Sequence, residues 1–368
     1  MESGKPANRG RARSPGDVLE TPLTKRFGLH YPFVSAGMAF VALPELVSAV
    51  SNVGGLGVLG ATPEPACALR ARIHQIRALT PKPFGVDFVH DVGAMGPFVT
   101  AAHIGVCAAE RVPLVVFHLN LPDIQFVIDL SDAGIEVWFQ TGDASQAAQA
   151  IALGVTGIVA QGEEAGGHNN SVVRSEDAFR AIRAVAPTNV LVLWAGGIAD
   201  GPTAAAALQA GADGVWVGTR MVATHEAYAH STYKARILDV TSSSETTFTT
   251  MFGPEYPGGR QRVLCNDVVR QFAGREATIP DSGSPAAIGR TVLFPGVGDL
   301  AVAMPKFSAL VPIPDTIGDF EQMNMPAGGM SAKRVDTVEP AAEVVVSMME
   351  RARAILEAEL ETDTNTEA

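Results

Sequence analysis

The sequence predicts an α/β fold, a (β/α)8 barrel with an additional C-terminal elaboration packed over it. Three observations support this. Eight short apolar runs begin near Phe33, Leu56, Phe84, Leu114, Glu136, Gly157, Val190 and Gly214, and Ala/Leu-rich amphipathic stretches separate them. Runs such as Val190-Leu191-Val192-Leu193-Trp194 and Gly214-Val215-Trp216-Val217 are apolar throughout, as strands covered on both faces must be. The stretches between them carry helix start and stop signals. A doubly wound parallel sheet is the alternative arrangement of the same units.

In chain order, residues 1–22 read as a flexible polar tail. Arg9, Arg11 and Arg13 are followed by Pro15, Gly16 and Asp17 and not by an apolar stretch, so a secretory signal is not expected. Residues 23–240 form the barrel. Pro44 opens one helix, and Thr62-Pro63-Glu64 pairs an N-cap with Pro at the first helical position. Asp143, Ser175 and Asp200 mark three further helix starts, while Gly154 and Gly211 fall where helices should stop. Residues 241–335 break the pattern; they are rich in Gly, Pro, Ser and Thr but keep Phe, Val, Leu and Met, which fits an elaboration on the substrate side. A short helix is expected near Asn266–Phe272. Within 336–360, a closing helix should run from about Pro340 to Glu359, and 361–368 read as a frayed tail.

Composition narrows the function. The 368 residues carry 27 Lys+Arg against 39 Asp+Glu, a net charge of −12, with 47% hydrophobic and 18% charged residues. Such a chain buries a large core and is not disordered. The acidic balance argues against nucleic acid and offers no basic face to anionic lipid. No apolar run is long enough to span a bilayer. Cys67, Cys107 and Cys265 are odd in number and form no CxxC, so neither a disulfide framework nor a zinc site is expected, and a reducing, cytoplasmic compartment is the simple reading. No HExxH or two-His-one-carboxylate spacing occurs, so no metal centre is expected.

In this fold, chemistry gathers after the C-terminal ends of the strands, with a phosphate site commonly after strands seven and eight. The seventh run ends Ala195-Gly196-Gly197-Ile198 and the eighth Val217-Gly218-Thr219-Arg220. Glycines let the backbone approach an anion, the following helix N-termini point N–H groups at it, and Thr219 adds a hydroxyl. The plainer alternative is that these glycines only make tight strand-to-helix turns. The sixth run leads into Gln161-Gly162-Glu163-Glu164-Ala165-Gly166-Gly167-His168, which places a residue that titrates near neutrality at the reactive face. His118 could also face the site, or serve as a hydrogen-bonded rim residue; His225 and His230 are expected on the surface of the eighth helix. Gly55-Leu56-Gly57-Val58-Leu59-Gly60 matches GxGxxG, but the glycines surround the second strand itself, so no dinucleotide fingerprint is read there.

From about Arg26 to Leu360 the chain resembles the nitronate monooxygenase family, FMN-dependent (β/α)8 barrels. The resemblance rests on Ser35-Ala36-Gly37-Met38, Ser51 to Gly57, Gly85-Val86-Asp87, Ala160-Gln161-Gly162 with Ala165-Gly166-Gly167-His168, Ala195 to Ile198 and Gly218-Thr219-Arg220. Arg262-Val263-Leu264 and Pro314 to Asp319 add to it. It implies an FMN phosphate on Gly196, Gly197, Trp216, Val217, Gly218 and Thr219, with Gln161, Gly166 and Gly167 beside the flavin and Met38 against its ring. It also implies a catalytic His168, and oxidation of a nitroalkane or nitronate by O2 to a carbonyl compound and nitrite. A small-molecule substrate is the expected partner, and a homo-oligomer is compatible with the sequence.

Three departures stand out. The first strand ends Ala-Gly-Met where Ala-Pro-Met is usual. Asp87 occupies a cofactor-side position that is usually Asn, and a carboxylate cannot donate a hydrogen bond unless protonated. Met325-Pro326-Ala327-Gly328-Gly329 stands where the family more often has Tyr-Ala-Gly-Gln, near the flavin. Two competing readings follow: an NAD(P)H-dependent enoyl or quinone reductase of the same superfamily, and a flavin-binding barrel without turnover.

Overall fold

The computed structural model describes residues 17–94, 96–280 and 284–366. Its centre is an eight-stranded parallel sheet: β1 (Phe33–Ser35), β2 (Gly57–Gly60), β3 (Phe84–His90), β4 (Leu114–Leu119), β5 (Glu136–Thr141), β6 (Gly157–Gln161), β7 (Leu191–Ala195) and β8 (Gly214–Val217). Each strand pairs with its sequence neighbour, and β1 pairs with β8. A parallel bridge between Val34 and Leu56 joins β1 to β2 and closes the barrel. The closed ring rules out the doubly wound alternative.

Strand side chains alternate between two buried environments, which is why the runs are apolar throughout. Val34, Val58, Leu114, Val116, Trp138, Val159, Leu193 and Trp216 share one cluster inside the barrel. Phe33, Val115, Phe117, Val137, Phe139, Ile158, Val192 and Val215 belong to the larger cluster beneath the helices. The GxGxxG glycines have a packing reason: a Cβ on Gly57 would lie 2.1 Å from the Val47 carbonyl oxygen, and one on Gly60 2.3 Å from Met38 backbone.

Helices start close to the expected caps. Asp143 accepts from Ser145 and Gln146 N–H, Asp200 accepts from Thr203 N–H, and Gly154 and Gly211 follow their helices with positive φ. One start differs: the helix after β2 is Ala66–Leu79, with Pro65 as its cap residue. Thr62 instead accepts from Val89 N–H on β3, and Glu64 pairs with buried Arg72 at 2.8 Å.

Residues 17–22, expected in the tail, are packed. Val18 and Leu19 are buried, Thr21 caps the helix Pro22–Phe27, and Leu23 enters the cluster inside the barrel. The tail expected over 1–16 lies outside the described residues.

Beyond the barrel, β9 (Thr246–Thr249) pairs antiparallel with β10 (Gln261–Leu264), and β11 (Ser284–Leu293) with β12 (Leu300–Lys306). Asn266 caps the helix Asp267–Phe272 as the sequence suggested. The closing helix runs Ala341–Thr366, through the stretch expected to fray, and packs against the helices Gly201–Gln209 and Pro44–Asn52. Among the described residues no helix is long and apolar enough to cross a membrane.

Candidate active site

A cavity of about 750 Å³ opens at the C-terminal end of the barrel, within the usual range for small-molecule and cofactor sites. Its floor follows from strand periodicity. Going up the barrel, the inward-facing row on β4 runs Leu114, Val116, His118; on β5 it runs Trp138, Gln140; on β6 it runs Val159, Gln161. Where the barrel interior ends, the row turns polar, and all three polar residues line the cavity. Inward position plus polarity is the signal that could have found Gln140.

Gln161 ties two histidines together. Its amide nitrogen donates to the His168 carbonyl at 3.2 Å, which turns its oxygen to His118 Nε2, also 3.2 Å away. His118 therefore carries its proton on Nε2 and presents Nδ1 as acceptor. Burial, with His168 nearby, pushes the His118 pKa down to about 3, so its ring is neutral.

His168 lies on a two-residue strand, Gly167–His168, that pairs antiparallel with Gln261 and Arg262 of β10. Asn169, fully buried, anchors the loop: its amide donates to the carbonyls of Gly162 and Ala165, and its oxygen accepts from Ser171 N–H. Glu164 accepts from the N–H and hydroxyl of Ser175, where the next helix begins. Nε2 of His168 is buried without a hydrogen-bond partner and the residue is on the cavity wall. Burial lowers its pKa to about 4, opposed in part by the charge of Asp91. The Tyr256 ring meets His168 edge-on at 5.1 Å, and its hydroxyl donates to Asp91. Tyr256 and Asp91 carried no sequence signal, because distant segments bring them to the site.

Met38, Gln161, Gly166, Gly167, His168, Gly196, Trp216, Gly218 and Thr219 all line this cavity. Gly197 adjoins it in the chain, Val217 is buried in the core, and Asp87 lies behind Gly37. Asp87 is level with Val116 in the barrel interior, one layer below His118. A Cβ on Gly37 would lie 2.3 Å from Asp87 Cβ, so the glycine at this position makes room for the aspartate. Asp87 Oδ1 has no partner, and burial raises its pKa well above the usual carboxylate range.

The phosphate corner differs in detail from expectation. Gly196 and Gly197 have φ of +106° and +78°, backbone that glycine adopts without strain. Thr219 Oγ1 accepts from Gly328 N–H at 3.0 Å, leaving its proton for an anion. The helix after β7, however, is capped by Asp200, which also pairs with Arg334 at 2.8 Å. Burial alone would raise the Asp200 pKa, but the Thr203 N–H and hydroxyl and Arg334 hold it low. A carboxylate thus occupies one of the two helix ends expected to face the phosphate. Arg220 turns away, donating to Ala223 O and pairing with Glu339. His230 is a cap residue stacked on Phe320, not a free surface side chain.

FMN suits this set. The cavity offers two glycine turns and a threonine hydroxyl for a phosphate, apolar walls and a methionine for a ring, and unpartnered polar atoms on Gln140 and His168. Among the described residues no group of three or more His, Cys, Asp or Glu gathers as a metal site.

Known proteins agree with the geometry. A relative from Mycobacterium tuberculosis (strain ATCC 25618 / H37Rv), a (3aS,4S,5R,7aS)-5-hydroxy-7a-methyl-1-oxo-octahydro-1H-indene-4-carboxyl-CoA dehydrogenase, is 34% identical over 69% of this chain and 68% of its own. FabK from Thermotoga maritima superposes with a TM-score of 0.77 at 28% identity, covering 93% of this chain and 99% of that one. Nitroalkane oxidase from Streptomyces ansochromogenes gives 0.74 at 26% identity, covering 92% and 100%. The family model for nitronate monooxygenase matches residues 20–351, and on that match over a barrel with this site the chain belongs to the nitronate monooxygenase family of oxidoreductases.

Proposed function

We propose that the protein is an FMN-dependent monooxygenase that oxidises nitroalkanes or their nitronates with O2 to a carbonyl compound and nitrite, with His168 as proton acceptor. One observation carries this reading: His168 Nε2 is buried, unpartnered and neutral on the wall of a cavity bordered by glycine turns. A neutral imidazole can take the proton from the carbon beside a nitro group. The nitronate charge that forms beside it offsets the burial that otherwise disfavours imidazolium. Gln161 holds the loop through the His168 carbonyl. The Gly196–Gly197 turn and the Trp216 to Thr219 segment would hold the phosphate, with Met38, Gly166 and Gly167 against the ring. Bound FMN would supply the electron acceptor.

A second reading is an NAD(P)H-dependent reductase or an acyl dehydrogenase. The 34% identical relative, a carboxyl-CoA dehydrogenase, and the extensive apolar wall favour it. The test is anaerobic: mix the flavin-loaded protein with ethyl nitronate, without NAD(P)H, and follow visible absorption. Bleaching supports the nitronate reading. Bleaching only after NAD(P)H is added moves the assignment to a reductase. Colour retained with every donor leaves a flavin-binding barrel without turnover.

A further inference from the structure

The cavity has two unlike sides. His118, Gln140, Gln161 and His168 stand on one. The other is formed where the β11–β12 hairpin meets the loop after β1, and its hairpin side chains, including Leu293 and Ala303, are all apolar. Two phenylalanines on this side have left-handed backbone: Phe40 at φ +66° and Phe294 at φ +55°. Non-glycine residues rarely adopt this backbone, so the surrounding structure must impose it. Phe40 and the hairpin's Val302 pack on one small cluster that contains Leu310, so loop and hairpin are fastened together. At the hairpin, Leu300 keeps 52% exposure while lining the cavity. An apolar side chain left half in water at a cavity wall is covered when an apolar ligand enters.

We propose that Phe40, Phe294, Leu300, Val302 and Leu310 form a subsite for the aliphatic or alicyclic body of the substrate, so that the preferred substrate is amphipathic and larger than a short nitroalkane. The subsite rests on the reaction proposed above, because the reacting head group must reach His168 while the body lies under the hairpin. Apolar contact supplies no orientation. Orientation comes from the polar side, and discrimination by size from the hairpin side.

Two measurements separate the subsite from the reaction. Titration calorimetry of the flavin-loaded protein with straight-chain carboxylates, butanoate to decanoate, reads the subsite without turnover. Turnover of ethyl to decyl nitronates reads the reaction. Affinity and kcat/KM are expected to rise about fourfold per methylene until the hairpin wall is covered. Phe294→Asn keeps a residue that tolerates left-handed backbone, and Leu300→Ser changes only a half-exposed position; each should flatten the dependence on chain length. Binding that steepens with length while no nitronate is consumed would overturn the reaction and keep the subsite. Turnover that ignores chain length, or a dependence unchanged in both variants, would overturn the subsite.

Discussion

Asp87 and His168 are both buried ionisable groups, and burial pushes them in opposite directions, each toward its neutral form. For Asp87, a pKa raised above its unfolded value means that the native state loses stability as pH rises out of the carboxylate range. Asp87→Asn keeps the shape and is neutral without taking up a proton. It should raise stability at pH 7, seen as a higher Tm, because the wild-type carboxyl is ionised in the unfolded chain and has to be protonated or buried charged on folding. The gain should vanish as pH falls toward the ordinary carboxylate range, where both side chains are neutral. A lower Tm at pH 7 would mean that the carboxylate has a partner worth more than its burial costs. His168 gives a complementary test. Its basic form is lost only as pH falls through about 4. For a neutral nitroalkane, kcat/KM should therefore stay level well below pH 6.5 and fall near 4. A limb at 6.5 would place the base on a solvated group.

The loop between β6 and the helix Ser175–Val185 decides whether His168 is held or merely present. Gly162 is where the loop meets the helix: a Cβ there would lie 2.1 Å from Ser175 Cα, so the two backbones touch. Asn169 adds three side-chain hydrogen bonds within the loop. Asn169→Ala should lower stability by about 1–3 kcal/mol through the carbonyls and N–H left unpaired. It should also reduce kcat on the order of tenfold or more, because a displaced base is out of reach of its proton, while flavin content stays normal. Unchanged kcat in a folded variant would show that the pairing with β10 and the Gln161 contact position the histidine without Asn169. The sequence makes this loop visible through its glycines and His168, but it hides Asn169, whose role depends on carbonyls at Gly162 and Ala165 turning inward. At Asp200 the cap was legible in the sequence, but its pairing with Arg334, and with it a carboxylate at a helix end expected to face phosphate, was not. The β11–β12 hairpin was not legible either. Its strands sit in a stretch rich in Gly, Pro and Ser, and its inner face is defined by a cavity that other segments create.

Across the whole molecule, the eight strand positions were legible because a closed barrel buries both faces of every strand, leaving runs with no polar alternation. What composition could not show is how the two ends of the barrel differ. One end opens into the cavity. At the other, residues 17–22, read as tail, pack and lead into the helix Pro22–Phe27; Thr21 caps it and donates to the Asp213 carbonyl at 2.7 Å, and Phe27 meets Trp138 edge-on at 5.6 Å. Leu23, fully buried, packs inside the barrel and close to Gly214, where a Cβ would lie 2.4 Å from it. Asp17 pairs with Arg353 of the closing helix, and Tyr31 donates to Glu350 at 2.9 Å, so both ends of the described chain are fastened to each other around the barrel. In this fold, the N-terminal face carries stability and the C-terminal face carries chemistry. Leu23→Ala should test that division. It removes a buried side chain that its neighbours cannot easily replace and should cost about 2–5 kcal/mol, read as a lower Tm or denaturation midpoint. Flavin content, the visible spectrum and kcat measured well below the lowered Tm should be unchanged. Loss of flavin in a variant that is still folded would mean the two faces are coupled through the inward rows of the strands, with the packing of Trp138 and Val116 transmitted to Gln140 and His118 above them.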